Sequence, residues 1–245
     1  MDDHQSKVQR LYDACDAVFS SGSKAGLPTL KQIRWLQDLL DGMEAADVGI
    51  EGGGSGGERS SSSEDDDERS PAGAAVSLGA GVHPDHLRAH PRIGVFCFPA
   101  GATLPLHDHP QMVVLSKLLY GSMRVKSYDW ANAPPCSGPR KSGLARVVAV
   151  DEMREAPCKA SVLFPRSGGN IHSLTAVTPC ALLDVLAPPY AEDLGRPSTY
   201  FSDIPIPSLP GFAVLEEADL PDGFRVAGAP YVGPELTIDM DSMYN

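Results

Sequence analysis

Two histidines separated by a single residue, His107 and His109 in LPLHDHPQMVVLSKLLYGSM, are answered by a third, His172 in FPRSGGNIHSLTAV. On a β-strand, residues i and i+2 project from the same face, so His107 and His109 are able to hold one ion together while Asp108 points the other way. The third histidine lies about sixty residues further on, and a closed antiparallel barrel supplies the return path that sets it beside the first two. Gly168 and Gly169 allow a tight turn just before His172, which opens the apolar run LTAV.

Eight short runs punctuated by Gly and Pro read as strands: IGVFCF, TLPLHDH, MVVLSKLL, SMRVKSYDW, LARVVAVDE, KASVLF, HSLTAV and ALLDVLA. That count suits a barrel or a double-stranded β-helix. Upstream, Val8, Leu11, Tyr12, Cys15, Val18 and Phe19 fall at helical spacing, as do Leu30, Ile33, Leu36 and Met43. Thr29 and Gln32 form a capping box at the start of the second helix. Both helices are expected on the outside of the barrel. The segment from Tyr200 onwards is proline-rich with strand-like pieces and is expected to wrap the barrel.

Gly101, five residues and then His107-Asp108-His109 resemble the first metal motif of the cupin barrels. Those barrels usually carry a carboxylate four or five positions after the second histidine, where this chain has Val113 and Val114. Three neutral imidazoles leave a divalent ion its full charge and about half of an octahedral shell open, so anionic ligands and dioxygen can be accepted together. The resemblance then narrows. HDHP, SKLLYGSM, KSYDW, GGNIH and DVLAPPY, with looser matches at VQRLYDACDAVF and GFAVLEEADLP, are similar to the plant cysteine oxidases, relatives of the animal 2-aminoethanethiol dioxygenase. The matching stretches span most of the chain outside one insertion.

This resemblance implies an all-β cupin double-stranded β-helix (jelly-roll barrel) with N-terminal accessory helices. It implies one Fe(II) per chain, held by His107, His109 and His172. It also implies use of both atoms of O2 to convert the N-terminal cysteine of target proteins to cysteine sulfinic acid. Family substrates are ethylene-response-type transcription factors, marked by this oxidation for the arginine N-degron pathway in the hypoxia response. Two further positions that matter in the family fall on Asp184 and Tyr190, which become the expected catalytic residues.

The residues give this chemistry a physical basis. Thiol bound to a divalent metal loses its proton readily. A carboxylate at Asp184 in the apolar run ALLDVL is costly without a partner, and a substrate ammonium or a hydrogen bond would serve. Pro188 and Pro189 fix the backbone ahead of Tyr190. Sulfinic acid is a state that ordinary thiols do not reverse, as suits a degradation mark. Competing readings are a small-thiol dioxygenase acting on cysteamine or cysteine, a zinc hydrolase, and a non-catalytic metal-binding cupin.

The 245 residues, 42% hydrophobic, suffice for one sizeable barrel core and an accessory layer. A formal net charge of −12 opposes direct nucleic-acid binding. No run approaches the roughly 20 apolar residues that span a bilayer, and MDDHQSK is a poor signal-peptide start, so a soluble monomer of the cytoplasm and nucleus is expected. The five cysteines lack paired spacing and read as free thiols, Cys97 and Cys180 in the core, Cys136 and Cys158 exposed. His83, His86 and His90, bracketed by Pro84 and Pro91, read as a solvated loop, and His4 as exposed.

Three parts are expected: residues 1–48, a helical segment packed on the barrel; 49–75, a disordered acidic insertion; and 76–245, the thiol dioxygenase domain. The insertion lacks apolar anchors, and Glu58 to Arg69 alone carries six acids against two arginines. Ser60 to Ser63 resemble an acidophilic kinase site by composition, although a tolerated linker expansion is the simpler reading.

Overall fold

The computed structural model describes residues 5–19, 27–50, 74–79, 91–132 and 140–237, with 74–79 described by backbone alone. The central part of the insertion, His4, His83, His86, His90 and Cys136 lie outside the described residues.

Two helices come first, α1 (Lys7–Phe19) and α2 (Leu30–Asp41), followed by a 3-10 turn at Ala45–Val48. Twelve strands follow among the described residues: β1 (Ala74–Gly79), β2 (Arg92–Phe98), β3 (Thr103–His107), β4 (Val113–Tyr120), β5 (Ser122–Trp130), β6 (Ser142–Glu155), β7 (Ser161–Leu163), β8 (Ile171–Ala176), β9 (Cys180–Ala187), β10 (Tyr200–Pro205), β11 (Phe212–Ala218) and β12 (Arg225–Pro230). The eight strand runs expected from sequence are β2 to β9. The start of α2 is the expected capping box, with the Gln32 N–H donating to Thr29 Oγ1 at 3.3 Å and the Thr29 N–H donating to Gln32 Oε1 at 2.9 Å. This satisfies two of the donors that any helix start leaves free. The helix stops at Asp41, before Met43, because Gly42 caps it.

Six strands form a sheet in the order β12-β1-β2-β9-β4-β7, and the other six close into a ring, β10-β11-β6-β5-β8-β3. One face of the sheet is covered by the helices, where Leu11, Cys15, Leu36 and Leu40 meet Val95, Leu115, Leu183 and Val185. Alternate residues point the other way. Phe98, Leu118, Cys180 and Leu182 pack there against Met123, Leu174 and Ala176 of the ring. The space between sheet and ring is therefore walled by two strand faces, and it is where the histidines lie.

The C-terminal segment departs from expectation. It does not merely wrap the barrel: β10 and β11 are ring strands, and β10 pairs back onto β3 through Tyr200 opposite His107. Further on, β12 runs parallel to β1, which begins at Ala74 inside the segment expected to be insertion. Cys180 and Cys15 are buried, Cys97 is half-buried, and Cys158 is half-buried rather than exposed. Among the described residues no helix is long and apolar enough to cross a membrane.

Candidate metal centre

Two of the three histidines come from adjacent ring strands. His107 ends β3 and lies directly opposite His172 of β8, which in turn neighbours Ser127 of β5. His109 stands just beyond β3, so the strand alternation that was expected to align it with His107 is not what holds it. Asn170 holds it instead. The His109 N–H donates to Asn170 Oδ1 at 3.2 Å, and Asn170 Nδ2 donates back to the His109 carbonyl at 2.9 Å. The same amide nitrogen also donates to the Phe164 carbonyl at 2.9 Å.

One ligand atom from each of the three rings lies within 4.8 Å of the others. Every ring is oriented from behind by a carbonyl oxygen on Nδ1: Pro105 at 2.8 Å for His107, Asn170 at 2.7 Å for His109, and Gly169 at 3.4 Å for His172. A carbonyl can only accept, so each Nδ1 carries the proton and each Nε2 is left with its lone pair. Burial reinforces this by disfavouring the charged imidazolium. It lowers His107, takes His109 well below the ordinary value with help from its two neighbours, and takes His172 to about 3. Three neutral, oriented nitrogen donors without a carboxylate among them fit a divalent transition metal.

Asp108 points away, as expected from the sequence. Its Oδ1 accepts the Thr199 N–H at 2.9 Å, and Lys141 Nζ stands 3.5 Å from Oδ2. Burial still raises its carboxyl, against those partners. A second buried carboxylate supports the turn before His172. Asp129, only 2% exposed, accepts the N–H groups of Gly169 and Asn170 on Oδ1, both at 3.0 Å. Neither Asp129 nor Asn170 was singled out from the sequence. Both are polar residues inside strand-like motifs, SYDW and GGNIH, the same signal that marked Asp184.

Asp184 sits on β9, in register with Ser116 of β4, and shares the inward face with Leu182 and Leu186. Its Oδ1 is shut off from solvent without a hydrogen-bond partner, and burial pushes its carboxyl up to about 7 against a hydrogen bond from Ser116. Tyr190 lies with its ring centroid 5.8 Å from that of His109, and its hydroxyl donates to the Asp108 carbonyl at 2.8 Å. It therefore does not hang free over the histidines: it ties down the loop that carries two of them. Burial raises the phenol far above its usual range, with Asp184 among the charges that add to the effect.

A cleft reaches His172 between the two strand layers. His172, Ser127 and Gly169 line its inner end, Leu118 and Leu174 its walls, and Glu152, Arg154 and Lys159 its mouth.

A double-stranded β-barrel with a buried three-histidine cluster between its layers is a cupin with a candidate metal site. The PCO_ADO family profile matches residues 39–236. The chain is 38% identical to plant cysteine oxidase 1 of Arabidopsis thaliana, covering 94% of this chain and 80% of that protein. To plant cysteine oxidase 2 of the same organism it is 36% identical, over 94% and 83%. To human 2-aminoethanethiol dioxygenase it is 32% identical, over 59% of this chain and 63% of that one. The chain belongs to the PCO_ADO family, and a thiol dioxygenase activity follows from that membership.

Proposed function

We propose that this protein oxidises the N-terminal cysteine of target polypeptides to the sulfinic acid, with Fe(II) held by His107, His109 and His172. The observation that carries the reading is the donor set: three oriented, neutral imidazoles with no carboxylate, which leave coordination positions for a thiolate, an amine and dioxygen. The metal supplies a Lewis acid that favours the thiolate and a redox partner for dioxygen. The overall change, RSH + O2 → RSO2H, places both oxygen atoms on sulfur and needs no co-reductant.

The chain's own residues perform the placement. Asp184, the walled-in carboxyl with a free oxygen, is the group we assign to receive a proton or to pair with the α-ammonium of the substrate. Tyr190 clamps Asp108, and through it the His107–His109 segment. Leu118, Leu174 and Leu182 keep bulk water from the reacting end. Substrates of the ethylene-response transcription-factor type, a place in the arginine N-degron response to low oxygen, and a cytoplasmic and nuclear location belong to the same proposal. They are supported by the similarity to the plant cysteine oxidases.

The test is mass spectrometry of a Cys-initiated peptide incubated with Fe(II)-loaded protein under labelled dioxygen, beside a peptide that keeps Met ahead of Cys. Two labelled oxygens on the Cys-initiated peptide alone, lost in His172→Ala, are expected. Turnover confined to cysteamine or free cysteine would replace the reading with a small-thiol enzyme. Bound iron without oxygen uptake would replace it with a binding protein.

A further inference from the structure

The cleft that His172 lines is longer than a small thiol needs. Along β5 its lining runs from Ser127 to Met123, and along β6 from Val148 to Arg154. At about 3.3 Å per residue these walls are roughly 13 to 20 Å long, the length of four to six extended residues. The enclosed space is about 120 Å³, about four waters at their share of liquid volume, so the wall length rather than the enclosed volume sets how much of a peptide can lie along it. An aminothiol of two carbons has four heavy atoms and spans less than half of that length.

The two ends differ in chemistry. The end beside His172 and Ser127 carries the buried Val114 and Leu163. The outer end is open, and Glu152, Lys159 and Ser161 are exposed there. Of the two cations at the mouth, Arg154 is paired, its Nε 2.8 Å from Glu152 Oε1. Among the described residues, no carboxylate is paired with Lys159.

The segment carrying Lys159 is anchored from behind. Lys117, 7% exposed, donates Nζ to the Cys158 carbonyl at 2.6 Å and stands 3.7 Å from Asp41 Oδ1. The Ala160 N–H donates to that same Asp41 oxygen at 2.6 Å, and Gln37 Nε2 donates to the Ala160 carbonyl at 3.1 Å. Helix α2 and β4 thus fix both carbonyls flanking Lys159. The ammonium is carried on a rigid wall facing an open groove.

We propose that this cleft binds, in extended form, the residues that follow the N-terminal cysteine of a polypeptide substrate, and that Lys159 meets an acidic side chain within the first few of them. The inference rests on the reading of the histidine site as an N-terminal-cysteine oxidase and adds where the rest of the substrate lies. It makes the N-terminal helix α2 part of substrate recognition, acting through Asp41 and Gln37 on the cleft wall.

The test uses the full chain loaded with Fe(II) and three probes: cysteine amide, a neutral Cys-initiated decamer, and the same decamer with Asp at positions three to five. The KM is expected to fall at least tenfold from cysteine amide to the neutral decamer with kcat within about twofold, and to fall further with Asp. Lys159→Glu should abolish the Asp preference, raising the KM of the Asp decamer to at least that of the neutral decamer. Hydrogen exchange with a Ser-initiated decamer, which cannot be oxidised, should show protection at 148–154 and 158–163. Equal kcat/KM for cysteine amide and both decamers, or no protection in those segments, overturns the groove while leaving the oxidase reading intact. Protection by the Ser-initiated decamer without oxidation of any Cys-initiated probe would instead sink the oxidase reading and keep a peptide groove.

Discussion

Replacing Asn170 by alanine should unfasten His109 without touching a metal ligand. The side chain makes three hydrogen bonds in a site where Asn170 itself is 4% exposed: one from the His109 N–H, one to the His109 carbonyl and one to the Phe164 carbonyl. Each is worth about 1 kcal/mol net, and the groups left behind are buried and lose the chance of solvation, so the total loss is about 3 to 5 kcal/mol. A domain of this kind has about 5 to 15 kcal/mol in all. Asn170→Ala is therefore expected to fold but with a urea midpoint lower by roughly 2 M, for a slope of about 2 kcal/mol per molar. Tryptophan fluorescence of the metal-free protein during urea unfolding measures this. Metal affinity, read by competition against a chelator, should drop roughly 10- to 100-fold. Asn170→Asp sharpens the test, because it keeps the acceptor for the His109 N–H but turns a carboxylate oxygen on two carbonyls. It should be no more stable than the alanine variant. An aspartate variant as stable as wild type, or an alanine variant losing less than 1 kcal/mol, would refute the account of Asn170 as the clasp of His109.

Two further outcomes follow from the same physics. Asp184 titrates at about 7 folded and near 3.8 unfolded, a gap of about 3 pH units or 4 kcal/mol. Between those values the folded protein holds a proton that the unfolded chain has released. The metal-free protein should therefore lose stability as pH rises from about 4 to 7 and level off above, whereas Asp184→Asn lacks that slope; parallel curves in urea titrations across pH would contradict it. Gly101 and Gly169 share a left-handed φ of 82°, yet a Cβ at Gly101 meets nothing within 4 Å while one at Gly169 falls 2.8 Å from Ser127. Gly101→Ala should cost only about 1 to 2 kcal/mol for the backbone, and Gly169→Ala about 1 to 3 kcal/mol more for the clash. Equal melting shifts would mean that the turn yields freely.

The strands that hold the site were legible because their apolar runs are bounded by Gly and Pro and because side-chain alternation survives in MVVLSKLL and SMRVKSYDW. Thr29 and Gln32 marked the start of α2 for an equally local reason. The ring-closing strands were harder to see. β10 carries Asp203 and ends at Pro205, Pro207 and Pro210 follow it, and residues such as Ile204 remain exposed. Proline cannot donate to a ladder, so such a strand looks like a loop until its partners are known. His109 was placed beside His107 for a strand reason, whereas its position comes from Asn170, sixty-one residues away, a pairing that no local pattern announces. Asp129 and Lys117 illustrate the same limit, since a buried charge in a strand reveals that it has a partner but not which one.

The seam between Tyr200 and His107 also has a consequence for how the molecule is made. A ribosome delivers His107, His109 and His172 well before β10 and β11 emerge, so the nascent chain carries a complete set of ligands on a ring that is still open. Until residues 200–218 arrive, β3 and β6 each lack the neighbour that closes that side, and unpaired edges are templates for joining other chains. Folds dominated by such distant pairings assemble in milliseconds to seconds rather than microseconds. A message cut short between β9 and β10 would thus yield a chain with all its ligands and two sticky ring edges, a substrate for quality control rather than a weak enzyme.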